Sequence, residues 1–291
     1  MTAPQQLGFD AMPRRLFRAT PTRLMSWLDC PRRYRFSYLE RPTPPKGPPW
    51  AHNSVGAAVH TALAGWWRLP PDERTPNAAG DLLVRSWIDE GFRDAAQSLR
   101  WRDYTRGMVE RYVAELDPLD EPVGVERTVA LTTSTLALSG RVDRIDERVL
   151  DDGQGVELVV VDYKTGRRTL TTADARTSLA LAIYAAAASR TLRRPCRRVE
   201  LHHLPTGAVV AWDHTPESLA RHLSRADSIG EEAAAAEEAY ARGLSPSEQD
   251  ELFPPRPGPQ CQWCDFAAHC PEGRRAYPTR LPWDGLDSTV G

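Results

Sequence analysis

The sequence predicts an α/β protein in which a central sheet is flanked by helices, with a helical N-terminal region and a cysteine-rich C-terminal segment. Helical patterns fill residues 20–117, and strand patterns follow over residues 123–166. Helices and strands then alternate to residue 242. The composition, with 41% hydrophobic and 26% charged residues over 291 positions, is that of an ordinary globular protein.

The N-terminal part is predicted to be helical after a flexible arm over residues 1–18. Thr20 followed by Pro21 is a typical helix start, because threonine caps a helix and proline fits its first turn. Pro31 should divide the segment over residues 22–40 into two short helices. A Pro-rich loop follows over residues 41–50, and periodicity then predicts helices over residues 53–67, 79–97 and 101–117.

Strands are predicted next, since three segments are rich in Val, Leu, Thr and Ile. They span residues 123–131, 135–147 and 156–166, and Asp152-Gly153 between the last two is a strong hairpin signal. The remaining predicted elements are a helix over 173–191, two strands joined by Thr206-Gly207, and a helix over 216–242.

Charge and hydropathy exclude several classes of protein. The formal net charge of −2 argues against binding nucleic acid through bulk charge, although a local basic groove is compatible with it. No apolar run approaches the roughly 18 residues of a membrane span. Residues 1–10 lack the pattern of a secretory signal, so we expect a cytoplasmic protein.

Two acidic side chains on the hairpin strands are the strongest functional candidates. In a hairpin centred on Asp152-Gly153, opposed residues have numbers that sum to 305, which pairs Asp143 with Asp162 on one face. Lys164 shares that face, because strand residues two apart point the same way. Facing carboxylates on apolar strands repel each other unless a cation lies between them, which indicates a metal.

Two Asp and a Lys around a divalent ion suit phosphodiester hydrolysis, and oxygen ligands suit Mg²⁺ or Mn²⁺. The alternative is a salt-bridge ladder on an exposed strand, which an isolated D-x-K usually indicates. The facing Asp and the scarcity of lysine, with only Lys46 and Lys164 among 37 basic residues, favour the metal site. His60, at the end of NSVGAAVH, is a third candidate ligand, against the alternative of a structural histidine.

The cysteines indicate a second site. Three form C-x₂-C-x₅-C and a fourth lies far upstream, so together they could hold Zn²⁺ or an iron–sulfur cluster, and the spacing does not choose between them. These are Cys30, Cys261, Cys264 and Cys270. The alternatives are unrelated buried thiols, or His269 in place of one thiolate. Cys196 has no partner spacing and is left out.

These motifs together resemble the RecB-type nucleases of the PD-(D/E)xK superfamily, in the branch with a C-terminal iron–sulfur staple, which includes AddB-type domains and CRISPR-associated exonucleases. The matching segments are LDCPRRYRFSYL, GAAVH, GRVDRID, VDYKTG and CQWCDFAAHC. The resemblance implies a restriction-endonuclease-like mixed sheet and a metal-dependent DNA exonuclease acting in repair or recombination. It implies one nuclease domain over residues 19–278, including a cluster-binding segment at 259–271, and a tail over 279–291.

The resemblance also assigns residues. His60, Asp143, Asp162 and the backbone carbonyl of Tyr163 would bind Mg²⁺ or Mn²⁺, and Lys164 would be catalytic together with Asp143 and Asp162. The three cysteines of the C-x₂-C-x₅-C motif, together with Cys30, would bind a [4Fe–4S] cluster, with Zn²⁺ as the alternative occupant. The family's Gln four residues before a Tyr is Ala180 here, before Tyr184, which leaves open an inactive DNA-end-binding module. A zinc-stapled scaffold is a third interpretation.

DNA, single-stranded or with free ends, is the expected partner. Residues 14–41 hold eight Arg against two acids, with Trp27, Tyr34, Phe36 and Tyr38 interleaved, and such surfaces suit single strands. The alternative is a solvated basic helix whose aromatic residues belong to the core. Arg32, Arg33 and Tyr184 are the candidate DNA contacts. Glu126 is expected to form a surface ion pair with Arg127, with the alternative of an acid that supports the metal site from behind its ligands. No G-x₄-GK[ST] loop occurs, so we expect a nuclease part without this kind of motor, which could act alone or with a separate helicase.

Overall fold

A mixed sheet of six strands forms the centre of the protein, as the computed structural model of residues 16–150, 153 and 155–286 describes it. The strands are β1 (Phe17–Ala19), β2 (Gly124–Thr132), β3 (Leu136–Val149), β4 (Val156–Lys164), β5 (Cys196–His203) and β6 (Ala208–Asp213). Their order is β1-β3-β4-β5-β6, and β2 also pairs with β3. The β1–β3 and β4–β5 pairs are parallel and the other pairs are antiparallel, so the predicted mixed sheet is confirmed.

Helices cover both faces of this sheet. In the described ranges they are α1 (Pro21–Asp29), α2 (Pro31–Tyr38), α3 (Ala51–Trp67), α4 (Pro76–Arg85), α5 (Ala95–Ala114), α6 (Thr172–Thr177), α7 (Leu179–Leu192), α8 (Pro216–Ala241), α9 (Pro246–Leu252) and α10 (Pro271–Ala276). None of those helices is long and apolar enough to cross a membrane.

The central strand β4 is buried on both sides, which explains its continuous apolar run. Leu158 and Val160 pack with α1, α7 and α8, whereas Val159 and Val161 pack with α3, α4 and α5. All four side chains are at most 4% exposed. The sheet therefore separates two hydrophobic layers, and the chain leaves β4 at Lys164, at the edge of both.

Capping residues set helix boundaries that periodicity alone misplaces. Thr20 caps α1 as predicted, because its Oγ1 accepts a hydrogen bond from the amide of Arg23 at 3.1 Å. The helix predicted over 79–97 instead ends at Arg85, and α5 starts after Asp94, whose carboxylate accepts from the amide of Gln97. Gly91, with φ of +86°, lies in the loop between these helices.

The helix predicted over 173–191 is two helices. Ser178 between them has an extended backbone, with ψ of 108°, and its side chain accepts a hydrogen bond from the amide of Leu181. A serine can cap a new helix in this way, and it interrupts the apolar periodicity too little to be recognised from the sequence.

Both ends of the described chain are more ordered than the sequence suggests. Phe17 and Arg18, expected to lie in the flexible arm, belong to β1 and pair with Leu136 and Ala137 of β3. The expected tail from residue 279 folds back, so that Leu286 is 5% exposed and packs against α3 and α5. Residues 1–15 and 287–291, which complete the predicted arm and tail, lie outside the described residues.

A buried arginine stands behind the sheet on the α3 side. Arg144 of β3 is 4% exposed, and its guanidinium carbon lies 5.0 Å from the ring centroid of Trp67 and 5.8 Å from that of Tyr163. Its Nη2 is 2.8 Å from the carboxylate of Asp146. Buried charges persist only when they are paired in this way, so Arg144 fixes the position of the Tyr163 side chain.

Replacing Arg144 should therefore destabilise the protein. Arg144→Ala leaves Asp146 without its cation and removes the packing against Trp67, and we expect a loss of about 3 kcal/mol in the free energy of unfolding. Urea titration measures this loss. Arg127→Ala, on an exposed side chain of the neighbouring strand, should cost less than about 0.5 kcal/mol. A loss below about 1 kcal/mol for Arg144→Ala would contradict the role given to this residue.

Candidate metal centre and cysteine cluster

The register of the β3–β4 hairpin places the two predicted acids side by side. Arg144 pairs with Val161 and Ile145 with Val160, so paired residue numbers sum to 305, as the sequence predicted. The next position in this register puts Asp143 opposite Asp162. Asp152 of the predicted turn lies outside the described residues.

The carboxylate of Asp143 has two partners, one on β4 and one on α3. Its Oδ2 accepts a hydrogen bond from the backbone amide of Tyr163 at 2.9 Å, and its Oδ1 lies 3.2 Å from Nδ1 of His60 on α3. The side chain of Asp143 is only 15% exposed. Strand pairing and helix packing thus fix this carboxylate at the end of the sheet.

Glu126 extends the row of acids to a third strand. Val125 pairs with Arg144 and Arg127 with Val142, so Glu126 falls opposite Asp143. Its φ of +49° is left-handed, which is costly for any residue other than glycine and is often found at functional sites.

The expected ion pair between Glu126 and Arg127 is wrong, because Glu126 pairs with Arg141 of β3 at 2.7 Å. Sequence analysis considered Glu126 only as an acid that supports the metal site, and did not place it among the ligands. The register of the β2–β3 hairpin could have identified it as a ligand. From the sequence, a register was worked out only for the β3–β4 hairpin.

His60, Glu126 and Asp143 form a compact set of ligands. Their ligand atoms all lie within 4.8 Å of one another, and no other set of three His, Cys, Asp or Glu residues in the described chain does so. Two carboxylates and an imidazole are donors that suit Mg²⁺ or Mn²⁺, so the residues present fit a divalent ion. We call these three residues the metal centre.

Asp162 and Lys164 lie beside the metal centre and contact each other. The carboxylate of Asp162 forms an ion pair with the ammonium of Lys164. Burial raises the pKa of Asp162, the charge of Lys164 lowers it and that of Asp143 raises it, and the net result is a raised pKa. Lys164 is 44% exposed along its side chain, so its ammonium is open to a ligand.

The carboxylates around His60 raise the pKa of its imidazole. Burial lowers the pKa of this histidine, but the hydrogen bond that it donates to Asp143 and the charges of Asp143, Asp162 and Glu126 raise it, and the net result is a raised pKa. These carboxylates therefore stabilise the imidazolium form of His60. A bound metal requires the neutral imidazole, so metal binding must displace this proton.

An open groove of about 620 Å³ leads to the metal centre, and we call it the site groove. Besides the metal centre it is lined by Thr20, Thr22, Ala57, Thr61, Ala64, Arg68, Gly140, Arg141 and Tyr184. Burial and the charges of Asp162 and Asp143 raise the pKa of Tyr184, so its hydroxyl stays protonated. Gly140 makes room for Tyr184, since a Cβ there would lie 2.5 Å from its Cε1.

The four cysteines of the predicted second site line one small pocket. Cys30 stands between α1 and α2, and the other three come from the segment around residues 259–271. A Cβ at Gly273 would lie 3.3 Å from the sulfurs of both Cys261 and Cys270. Burial chiefly raises the pKa of Cys264. Cys196 lies apart in β5, where burial and Glu157 raise the pKa of its thiol to about 12.

The Arg–aromatic surface expected over residues 14–41 is wrong. Trp27, Tyr34 and Phe36 are at most 6% exposed, so they cannot stack on bases. They pack against Phe253 and Phe266, which lie more than 200 residues away along the chain and could not be anticipated locally.

The two arginines proposed as DNA contacts lie at the cysteine pocket and not in the site groove. Arg32 is 7% exposed and forms ion pairs with Glu272 at 2.7 Å and Asp250 at 3.3 Å. Arg33 forms an ion pair with Asp29 at 2.9 Å and is more exposed. Of the three candidate DNA contacts, the structure places only Tyr184 beside the metal centre.

The titration of His60 tests this electrostatic account. In the metal-free protein, NMR should show a His60 pKa above 6.5. The stability contributed by its imidazolium is present below that pH and is lost as the pH rises through the raised pKa. Asp143→Asn should lower the pKa of His60. His214, whose pKa burial lowers to about 4, should not move and serves as the control. A His60 pKa at or below 6.5 in the wild-type protein would contradict the account.

Comparison with known proteins agrees with this geometry. No curated protein matches the chain significantly. A family model described as the PD-(D/E)XK nuclease superfamily matches residues 18–271, a range that contains the sheet except for Phe17, the metal centre and all four clustered cysteines. With a matching model over most of its length and acids aligned on adjacent strands, the chain belongs to the PD-(D/E)XK nuclease superfamily.

Proposed function

We propose that the protein is a metal-dependent DNA exonuclease of RecB type that acts in DNA repair or recombination. Membership in the superfamily indicates a metal-dependent nuclease with DNA as its substrate. The observation that carries the finer proposal is the set of acids on three adjacent strands, with His60 and Lys164 beside them. The sequence motifs that resemble RecB-type nucleases support the exonuclease activity and the preference for free or single-stranded ends.

The metal centre would hold Mg²⁺ or Mn²⁺ through His60, Glu126 and Asp143. Asp162 and the backbone carbonyl of Tyr163 are the further proposed ligands, since Asp162 adjoins Asp143 in the strand register. A divalent ion bound there lowers the pKa of a water molecule and neutralises charge on a phosphate group.

The remaining roles in the proposed reaction belong to side chains and one backbone amide around the metal centre. Lys164 offers a compact, exposed ammonium that stabilises negative charge as it develops on the scissile phosphate. Asp162 positions that ammonium through their ion pair. The amide of Tyr163 holds Asp143, and Tyr184 lies in the site groove where it would contact the strand. Arg33 is a second proposed DNA contact, whereas Arg32 serves the ion pairs beside the cysteines.

The cysteine pocket is proposed to hold a [4Fe–4S] cluster. Cysteines from both ends of the domain meet there, which suits a staple between the N-terminal helices and the C-terminal segment. Four cysteine thiolates also suit Zn²⁺, which is the alternative occupant.

A second candidate function is a DNA-end-binding module with weak or absent catalysis. The observation that favours it is Ala180, one turn before Tyr184 on α7, where the family resemblance expects Gln. In both cases the protein could act alone or with a separate helicase, since the sequence has no G-x₄-GK[ST] loop.

Substitutions on β4 test the catalytic proposal. Lys164→Ala and Asp162→Asn should each lower Mg²⁺-dependent cleavage of end-labelled DNA by about 10³-fold or more, because they remove charge stabilisation at the phosphate. Lys46→Ala, at the chain's only other lysine, should cleave like the wild type. Wild-type rates in the β4 variants would refute the proposed site. DNA binding without cleavage by the wild-type protein, under Mg²⁺ and Mn²⁺, would support the end-binding module instead.

Metal analysis tests the cysteine assignment. Protein purified without oxygen should be brown and contain about four iron atoms per chain. Cys264→Ser should lose most of the iron and unfold more readily, because the staple is broken. Cys196→Ser should keep its iron, since Cys196 lies outside the pocket. A colourless wild-type protein with one zinc ion would overturn the iron–sulfur assignment and support the zinc scaffold.

A further inference from the structure

A second open groove lies at the β6 edge of the sheet, away from the metal centre, and we call it the edge groove. Its volume is about 390 Å³. It is formed by α6, β6 and the first turns of α8, and is lined by Arg176, Thr177, Trp212, Thr215, Ser218, Arg221, His222 and Arg225. Every formal charge among these lining residues is positive.

Three arginines of the edge groove have no ion-pair partner among the described residues. The side chains of Arg176, Arg221 and Arg225 are exposed, and within the described ranges none of them lies within salt-bridge distance of a carboxylate. Arg221 and Arg225 are one turn apart on α8, where like charges destabilise a helix. An arrangement of this kind becomes favourable when an anion lies between the guanidinium groups.

Two acids close to the edge groove in the sequence, Asp213 and Glu217, already have other partners. Asp213 forms ion pairs with Arg148 and, at 2.9 Å, with Arg198. Glu217 interacts with the charge of Arg221, but its carboxylate also accepts hydrogen bonds from its own backbone amide and from Thr215 at the start of α8. The positive charge of the groove is therefore only partly offset.

One side of the groove is formed by Trp212, which packs against the guanidinium of Arg176. The guanidinium carbon of Arg176 lies 5.7 Å from the ring centroid of Trp212. Nε2 of His222 donates a hydrogen bond to the carbonyl oxygen of Arg176 at 3.2 Å. These contacts join α6 to β6 and α8. They place Arg176 on the same groove as Arg221 and Arg225.

The sheet register gives the distance from the edge groove to the catalytic lysine. Trp212 pairs with Val199 of β5, which pairs with Val160 of β4, four residues before Lys164. Strands about 4.8 Å apart and a rise of about 3.3 Å per residue place Trp212 roughly 16 Å from Lys164. Each strand of a duplex carries a phosphate about every 3.4 Å along the axis, so this distance corresponds to about five base pairs.

We infer that the edge groove binds the phosphate backbone of the DNA substrate about five nucleotides from the bond that is cut. The inference rests on the proposed function and adds to it a second, remote contact with the same substrate. Three guanidinium groups on one surface suit successive phosphates of a polyanion, and such contacts release counterions. A free phosphate offers the same chemistry to a single guanidinium, and the test below distinguishes the two.

The test uses the full chain and measures binding without cleavage, with labelled DNA in EDTA. The variant Arg176→Gln/Arg221→Gln/Arg225→Gln should bind a 20-base-pair DNA at least about tenfold more weakly than the wild type, and its slope of log affinity against log salt should be smaller by about 2. The control Arg85→Gln/Arg190→Gln/Arg242→Gln removes the same charge from exposed positions on other surfaces. It should bind within about threefold of the wild type.

Three results would overturn the inference. They are unchanged binding of the 20-base-pair DNA by the edge-groove variant, an equal loss in the control variant, and an equal loss with a three-nucleotide DNA too short to reach the groove. Saturable binding of inorganic phosphate that the variant loses, while its DNA affinity is kept, would identify a small-anion site and likewise overturn it. A wild-type protein that binds DNA through these arginines but never cleaves it would contradict the nuclease proposal alone.

Discussion

The hydrogen bond from the amide of Tyr163 to the carboxylate of Asp143 joins the strands that carry the site. It exists because β3 and β4 pair in one register, which also sets Asp162 next to Asp143. A slip of one residue would turn every side chain of β4 to the opposite face and move Asp162 and Lys164 away together. The alternating burial of β4 between two hydrophobic layers makes that slip costly.

The helices on the α3 side complete the site and stabilise the fold through the same contacts. His60 reaches Asp143 from α3, while Trp67 on the same helix donates a hydrogen bond from its Nε1 to the hydroxyl of Tyr163 at 3.2 Å. Arg144 packs against both rings from β3. The side chain of Tyr163 is thus anchored on one face of the sheet, and its backbone supports Asp143 at the end of the strand. The position of the acids depends on the buried layer behind them.

Local signals were sufficient for much of this arrangement. The Asp-Gly turn predicted the β3–β4 register, and Thr20 and Pro31 marked helix boundaries. Features that depend on distant partners could not be predicted. Glu126 adopts a left-handed backbone and pairs with Arg141, and Arg32 meets Glu272 some 240 residues downstream. The three-residue strand β1 is too short to carry any periodicity.

The central claim is that residues from β2, β3 and α3 share one divalent ion. A crystal structure with Mn²⁺, using the anomalous signal of manganese, tests it most directly. The account predicts one strong peak between His60, Glu126 and Asp143, about 2.0–2.3 Å from a ligand atom of each. No peak there at saturating Mn²⁺, or Asp143 and Asp162 on opposite faces of the sheet, would contradict it.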